Sequence, residues 1–418
     1  MQVRVRDVDE GVEISRGLAE TIALKVVVRY FEAVDGRVVA VRLVTIANRR
    51  RLRKSRACSS ISGGRMMASE AKLSWRLSKL AAIFLVLSNA NWLFGQTTTG
   101  DGEECGCQGR IEESFGSLQS GSPAFSVHDP SKIIVQDDVL WGFGTGRGVR
   151  SFYSTDCETF QRGPSVFSES PEWVEDVVPG HDGRFWAPDV IVLDDRILVY
   201  YSVSSFGKQS SAIALASCSN LSTEAGETEW RDEGIVIQSR PGDNFNAIDP
   251  TIWKASDGTL WMALGSFWGG IYLIQLDPET GLRMGDDDLM IPLAFHEQIE
   301  AAGLFERDGY YYFFVNWGWC CRGVNSTYEI RVGRSRKITG PYFDRDGVDL
   351  RLKGGTEVLS TEGAMIGPGH GEVLVCEGQQ FLSFHYYDGD ANGRPRLGIL
   401  PLKWSEDGWP IVRMPEAE

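Results

Sequence analysis

Beyond about residue 122 the chain repeats one arrangement of polar and apolar positions five times: a short polar signature, a β-branched run, an Asp- or Gly-containing turn and an aromatic run. The copies cover His128–Trp141, Ala187–Tyr200, Ile248–Trp261, Glu300–Phe313 and Gly369–Leu382. Each reads as a β-hairpin, since the turn separates two runs of strand-forming residues. From Asp129 the openings fall at Asp189, Asp249, Glu300 and His370, which are 60, 60, 51 and 70 residues apart. That spacing suits a four-stranded propeller blade with outer loops of varied length. No long amphipathic helical pattern intervenes, which counts against α/β architectures. The pattern therefore predicts an all-β fold over 123–418, a five-bladed β-propeller with a central cleft. The innermost strands of all blades line one channel, so equivalent positions far apart in sequence become neighbours.

Those five openings carry Asp, Asp, Asp, Glu and His. Surface acids scattered at random do not keep register with a structural repeat. Converging carboxylates suit either a metal ion or acid–base hydrolysis of a glycosidic bond. Hydrolysis needs one acid ionised, to activate water, and another protonated, to serve the leaving oxygen. A third carboxylate nearby pushes the two apart by disfavouring a second negative charge.

Ahead of the repeats the chain changes character. Residues 1–65 hold 14 Lys/Arg against 7 Asp/Glu, and residues 66–96 hold Lys72, Arg76 and Lys79 against Glu70. These segments carry +7 and +2, so from a net charge of −15 the remainder carries −24. A body this acidic repels nucleic acid, anionic membrane and polyanionic sugars, and favours a neutral partner. The basic residues, the apolar run Leu80–Leu87 and then Ser88-Asn89-Ala90 follow the order of a secretory signal peptide. Eight apolar residues fall short of the roughly 20 that span a bilayer, so no stable membrane anchor is expected. The domain reading is thus 1–65 as a mis-assigned start or a basic extension, 66–96 as signal peptide and 97–122 as linker, with translation starting at Met66 or Met67. The extension reading has its own support, because Val26–Val44 around Asp35-Gly36 has a hairpin pattern. A secreted or periplasmic monomer is expected. Of eight cysteines, seven lie beyond this leader: Cys105, Cys107, Cys157, Cys218, Cys320, Cys321 and Cys376. Export permits disulfides, and an odd number leaves at least one thiol unpaired. Adjacent Cys320 and Cys321 either close a vicinal disulfide or remain reduced and packed.

Six segments in order, His128-Asp129-Pro130, Trp186–Asp189, Asn246–Pro250, Gly265–Ile271, Ile299–Ala301 and Gly367–His370, resemble the signatures of glycoside hydrolase family 43. Within that family the resemblance is greatest to the endo-1,5-α-L-arabinanases. Cys320–Tyr328, His385–Gly389 and Leu397–Trp404 are similar to arabinanase segments too, so the likeness covers about residues 120–415. The resemblance implies an inverting hydrolase with Asp129 as general base, Glu300 as general acid, and Asp249 orienting Glu300 and raising its pKa. Inversion requires acid and base roughly 6.5–9.5 Å apart with water between them. Glu297 and Glu362 are rival carboxylates outside the repeat position, and Asp189 reads as a structural carboxylate of its blade. By the same resemblance Trp186, Phe267 and Trp268 stack on arabinose rings, while Asn246 and Ser266 hydrogen-bond substrate or ordered water beside Asp249. His370 matches a histidine near a calcium ion otherwise surrounded mainly by water; no organic cofactor is implied. The implied substrate is a neutral polysaccharide, arabinan or a related hemicellulose or pectin side chain, cut internally. The alternatives are an exo-acting α-L-arabinofuranosidase or β-xylosidase of the same family, and a carbohydrate-binding propeller without catalysis.

Overall fold

The computed structural model describes residues 3–16, 20–33, 38–50, 125–157, 159–285, 289–376 and 378–414. The expected signal peptide and linker lie outside the described residues. The chain divides into two units after Leu93. In the first, Val3–Arg16, Glu20–Ala33 and Val38–Arg50 form a three-stranded antiparallel sheet in chain order. Its pairing of Val27 with Val44 is the hairpin expected over 26–44.

The second unit is the five-bladed β-propeller, and each predicted hairpin supplies the two inner strands of one blade. Blade 1 consists of Ile134–Gln136, Val139–Gly144, Arg150–Ser154 and Gln161–Ser165. Blade 2 consists of Arg184–Leu193, Arg196–Val203, Ser211–Cys218 and Arg231–Ser239, with the short strand Gly146–Arg147 added at its inner edge. Blade 3 holds Thr251–Lys254, Leu260–Leu264, Ile271–Leu276 and Ile291–Ala294. Blade 4 holds Ile299–Arg307, Tyr310–Trp317, Glu329–Ser335 and Thr356–Leu359. Blade 5 holds Met365–Cys376, Gln379–Asp388, Arg394–Trp404 and Pro410–Val412. The hairpin turns follow from residue type. Asp137 and Asp138 in blade 1, like Asp308 and Gly309 in blade 4, adopt positive φ, the geometry whose twist matches that of the flanking strands.

Apart from Gly146–Arg147, every blade is built from one contiguous stretch, so no shared strand joins blade 5 to blade 1. Apolar packing closes that seam. Val127, Leu140 and Phe152 of the first blade pack with Leu374, Phe381 and Leu397 of the last, and the Leu397 N–H donates to the Phe125 carbonyl at 2.9 Å. Cys157 and Cys376, in the same cluster, are each disulfide-bonded, and Cys218 is the free, buried cysteine among the described residues.

The backbone corrects the register in which the five openings were compared. One residue at the head of each inner strand has positive φ: Asp129 (50°), Ala187 (41°), Asp249 (57°), Ala301 (54°) and His370 (57°). These five are the structural equivalents. Glu300 therefore sits one position before the bend, in register with His128, and Asp189 sits two after it, in register with Ser131, Thr251, Gly303 and Glu372. Sequence comparison aligned the acids with one another because it saw residue type and not backbone angle. Glu300, with one more methylene than Asp, reaches the same region from the preceding position.

Phe381 is 1% exposed and lies in the seam between blades 5 and 1, which no strand crosses among the described residues. Phe381→Ala should therefore destabilise the propeller by about 3–5 kcal/mol, read from the denaturant midpoint. A loss below about 1 kcal/mol would show that this packing does not hold the ring closed.

Candidate active site

Three of the bends place carboxylates in a common buried region, Asp249 and Glu300 each being 8% exposed. The Asp249 carboxylate accepts from the Ala301 N–H at 3.1 Å, so it fixes the backbone that carries Glu300. One Glu300 oxygen accepts from Ser266 Oγ at 2.6 Å, and the other from the Tyr328 hydroxyl. The tight loop holding Ser266 is set by Gly265, φ 136°, where a Cβ would meet the Gly270 carbonyl at 2.3 Å. The Phe267 N–H then donates to the Ile299 carbonyl at 2.7 Å, docking that loop beside Glu300.

Asp129 has different company. One of its oxygens accepts from Thr145 Oγ1 at 2.5 Å and lies 2.7 Å from His128 Nδ1. The other lies 3.6 Å from Nδ1 of both His370 and His385. Thr145 in turn accepts from the Ala187 N–H at 2.9 Å, tying the carboxylate to blade 2. His128 is held at its far side by the Tyr387 hydroxyl at 2.7 Å, which also accepts from the Cys321 N–H at 2.7 Å. Cys320 and Cys321 form the vicinal disulfide, the first of the two states that the sequence left open.

Electrostatics separate the carboxylates. Burial alone would raise the Asp129 carboxyl, yet His128, paired and hydrogen-bonded to it, holds it well below the usual carboxylate range. Burial likewise opposes charge on His128, but Asp129 raises it, so the two form an ion pair. His370 and His385 are kept neutral by burial, and of the three imidazoles we assign the main effect to His128. Burial raises both other acids, Asp249 further through the charges of Glu300 and Asp129, and Glu300 further through Asp129 against the opposing bonds from Ser266 and Tyr328. The Asp249–Glu300 pair thus retains a proton while Asp129 is ionised. This is the division that general acid–base chemistry requires.

His128, Asp129 and His385 bring ligand-type atoms within 4.8 Å of one another, a spacing at which a metal ion can be held. His128 bonds Asp129 and Tyr387, and His385 Nδ1 accepts from the Asp129 N–H at 3.2 Å, while the buried Nε2 of His385 has no hydrogen-bond partner among the described residues. Calcium takes six to eight oxygens. Near His370 the nearby carboxylate is Asp129, which Thr145 and His128 already bond. A calcium at His370 would draw most of its oxygen shell from water.

The other expected residues divide. Ser266 Oγ donates to Glu300. Asn246 is buried, and its amide oxygen accepts from Ser211 Oγ at 2.8 Å, which makes it a link between blades 2 and 3. Trp186 is half-buried on the inner strand of blade 2. Phe267 packs against Trp319 with ring centroids 5.1 Å apart, and Trp268 is 43% exposed. Asp189 is buried and bonds Lys132 and the Ile252 N–H, as a structural carboxylate does. Glu297 is exposed and paired with Lys353, and Glu362 is exposed, so neither rival reaches the centre. Thr145, Tyr328, His385 and Tyr387 escaped sequence reasoning. His385 and Tyr387 had one usable signal, a two-residue spacing along the second strand of a repeat, which puts them on one face.

The Glycosyl hydrolases family 43 profile matches residues 123–410. The chain is 39% identical to an extracellular endo-α-(1→5)-L-arabinanase of Bacillus subtilis, over 68% of this chain and 87% of that protein. It is 36% identical to an extracellular exo-α-(1→5)-L-arabinofuranosidase of Cellvibrio japonicus, over 71% and 89%. The solved structure of a Cellvibrio cellulosa α-L-arabinanase complexed with arabinohexaose superposes with a TM-score of 0.66 at 34% identity, covering 69% of this chain and 96% of that one.

Replacing His128 by Asn removes the positive partner that opposes burial most strongly at Asp129. The pH at which Asp129 takes up its proton should then move upward, as followed by carboxyl ¹³C chemical shift. An unmoved titration would show that His128 does not set this ionisation.

Proposed function

Because the chain belongs to glycosyl hydrolases family 43, we propose that it hydrolyses α-1,5-linked L-arabinofuranosyl chains by an inverting single displacement, cutting within the chain. The observation that carries this reading is three carboxylates in one buried region with unlike partners: His128 and Thr145 at Asp129, which favour its charge, and burial at Asp249 and Glu300, which favours a proton. Asp129 is the general base: it draws a proton from the water whose oxygen attacks the anomeric carbon. Glu300 is the general acid and gives its proton to the departing glycosidic oxygen. Asp249 keeps that proton available, since its charge and that of Glu300 disfavour each other, and its bond to Ala301 positions the acid. Turnover leaves Asp129 protonated and Glu300 ionised, and exchange with solvent resets both. No step is routed through a metal; a calcium held near His370, as the resemblance implies, would lend positive charge beside Asp129.

An acidic body suits this substrate, which is neutral. Phe267, tilted against Trp319, and exposed Trp268 offer apolar faces for furanose rings, each worth about 0.5–1.5 kcal/mol. Trp186 joins them from blade 2. Relatives named as extracellular support secretion, with 66–96 as the signal peptide. A second reading, release of sugars from the chain end, is favoured by the exo-acting relative at comparable identity.

Digestion of linear arabinan, with xylan as control, tests the proposal. Oligosaccharides should appear early from arabinan. Release of arabinose alone would replace the endo reading by the exo one, and no hydrolysis of either polymer would sink the hydrolase reading. Asp129→Asn and Glu300→Gln should each lower kcat by about 10²–10⁴-fold with an unchanged circular dichroism spectrum. Wild-type turnover in either variant would strip that residue of its role.

A further inference from the structure

When Glu300 gives up its proton, a negative charge is left on a buried carboxyl, and the side chains bonded to that carboxyl are two hydroxyls. Ser266 Oγ donates to one oxygen at 2.6 Å and the Tyr328 hydroxyl donates to the other. Tyr328 lies just ahead of the third strand of blade 4, Glu329–Ser335, and is 3% exposed. Its ring is seated against Gly369 of blade 5, where a Cβ would meet Tyr328 Cδ2 at 2.2 Å, so glycine there makes the room. The chain leading to it is pinned: the Thr327 N–H donates to the Trp319 carbonyl at 2.9 Å, and the Trp319 N–H donates to Thr327 Oγ1 at 3.0 Å. Burial, with the charge of Glu300 beside it, keeps the phenol protonated and therefore a donor. The other titratable groups that face Glu300 are Asp249 from blade 3, Asp129 and His128 from blade 1, and Tyr387 from blade 5. Among the described residues Ser266 and Tyr328 bond the carboxyl itself, and these others act on it through charge.

We propose that Tyr328 is a positioning residue for the acid: its phenol holds one Glu300 oxygen, leaves the acidic proton free for the glycosidic oxygen, and binds more strongly as the carboxyl becomes charged. This role rests on the hydrolase reading with Glu300 as acid. In the step, the Glu300 O–H bond breaks and its proton goes to the glycosidic oxygen, which takes the electron pair of the broken C–O bond. The phenol keeps its own proton throughout. A carboxyl offers about four lone-pair sites, and with a hydroxyl on each oxygen the acidic proton is confined to one that remains. A hydrogen bond to an ionised acceptor is stronger than one to a neutral acceptor. Tyr328 therefore favours the transition state over the bound substrate, and its contribution falls on kcat.

The test compares the full chain with Tyr328→Phe on an α-1,5-linked arabino-oligosaccharide and on the para-nitrophenyl glycoside of the same sugar chain, read as nitrophenol release. Tyr328→Phe should lower kcat about 10–100-fold on the oligosaccharide at nearly unchanged KM. The loss should be much smaller on the nitrophenyl glycoside, whose leaving oxygen needs little proton. Glu300 acts in its protonated form, so its titration is the alkaline limb of the kcat profile. Removing a bond that favours the ionised form raises Glu300 further, and that limb should move to higher pH. Equal losses on the two substrates, or an unmoved limb, would overturn the role and leave the hydrolase reading intact. A wild-type chain inert on both substrates would remove the hydrolase reading and the role with it. If Tyr328→Phe does not fold, a monofluorinated tyrosine at position 328 keeps the ring and makes the phenol a stronger donor. The limb should then move to lower pH, and an unmoved limb would overturn the proposal.

Discussion

At the head of every inner strand the backbone passes through the left-handed region at a residue other than glycine, a conformation that costs of order 1–3 kcal/mol each time. Five such bends persist because the blades around them over-determine the path. Ser202 Oγ accepts from the Asp249 N–H, Asn316 Oδ1 accepts from the His370 N–H, and Thr145 joins Asp129 to Ala187. The bends set which side chains reach the axis and at what depth. Asp129, Asp249 and His370 occupy the bend itself, Glu300 precedes it, and Asp189 and Glu372 lie two residues beyond. A catalytic layer and a charge-paired layer thus stand one above the other in the same channel, both made from the same short repeat.

The upper layer works because like residues receive unlike surroundings. Asp129 faces a charged imidazole and a threonine hydroxyl, and it stays ionised in spite of burial. Asp249 and Glu300 have hydroxyl and amide donors and, among the described residues, no ion-pair partner of their own, and burial raises both. His128 is itself steadied by Tyr387, whose hydroxyl is fixed by the backbone of the vicinal disulfide. The ionised partner of the site therefore depends on a loop from blade 4 and a strand from blade 5, joined across the seam that apolar packing closes.

The sequence made the blades legible because hairpin chemistry is local: β-branched runs, Asp- and Gly-containing turns and aromatic returns repeat within fourteen residues, and the structure has a hairpin at every predicted place. Asp129, Asp249 and Glu300 could be named because they stand near a repeated bend. Their alignment with Asp189 was off by up to two residues, since residue type does not reveal which position takes positive φ. Ser266 and Asn246 were expected to bond substrate or water; their partners in the fold, Glu300 and Ser211, follow only from packing. Tyr328 and Thr145 left no signal, as a lone hydroxyl on a strand gains meaning only from the atom across the channel. Lys132 lies within the first repeat, and only the packing of Asp189 and Glu372 around its ammonium reveals it as a largely buried cation.

The central claim is that Asp129 serves as a base toward water while the Asp249–Glu300 pair supplies a proton, so that cleavage is one displacement at the anomeric carbon. Proton NMR of the first-formed product from an α-1,5-linked arabino-oligosaccharide, recorded before mutarotation, tests this most directly. The account predicts that the β-anomer of the new reducing end appears first and equilibrates afterwards. The α-anomer appearing first would mean two displacements through a covalent intermediate, and would contradict the roles given to all three carboxylates.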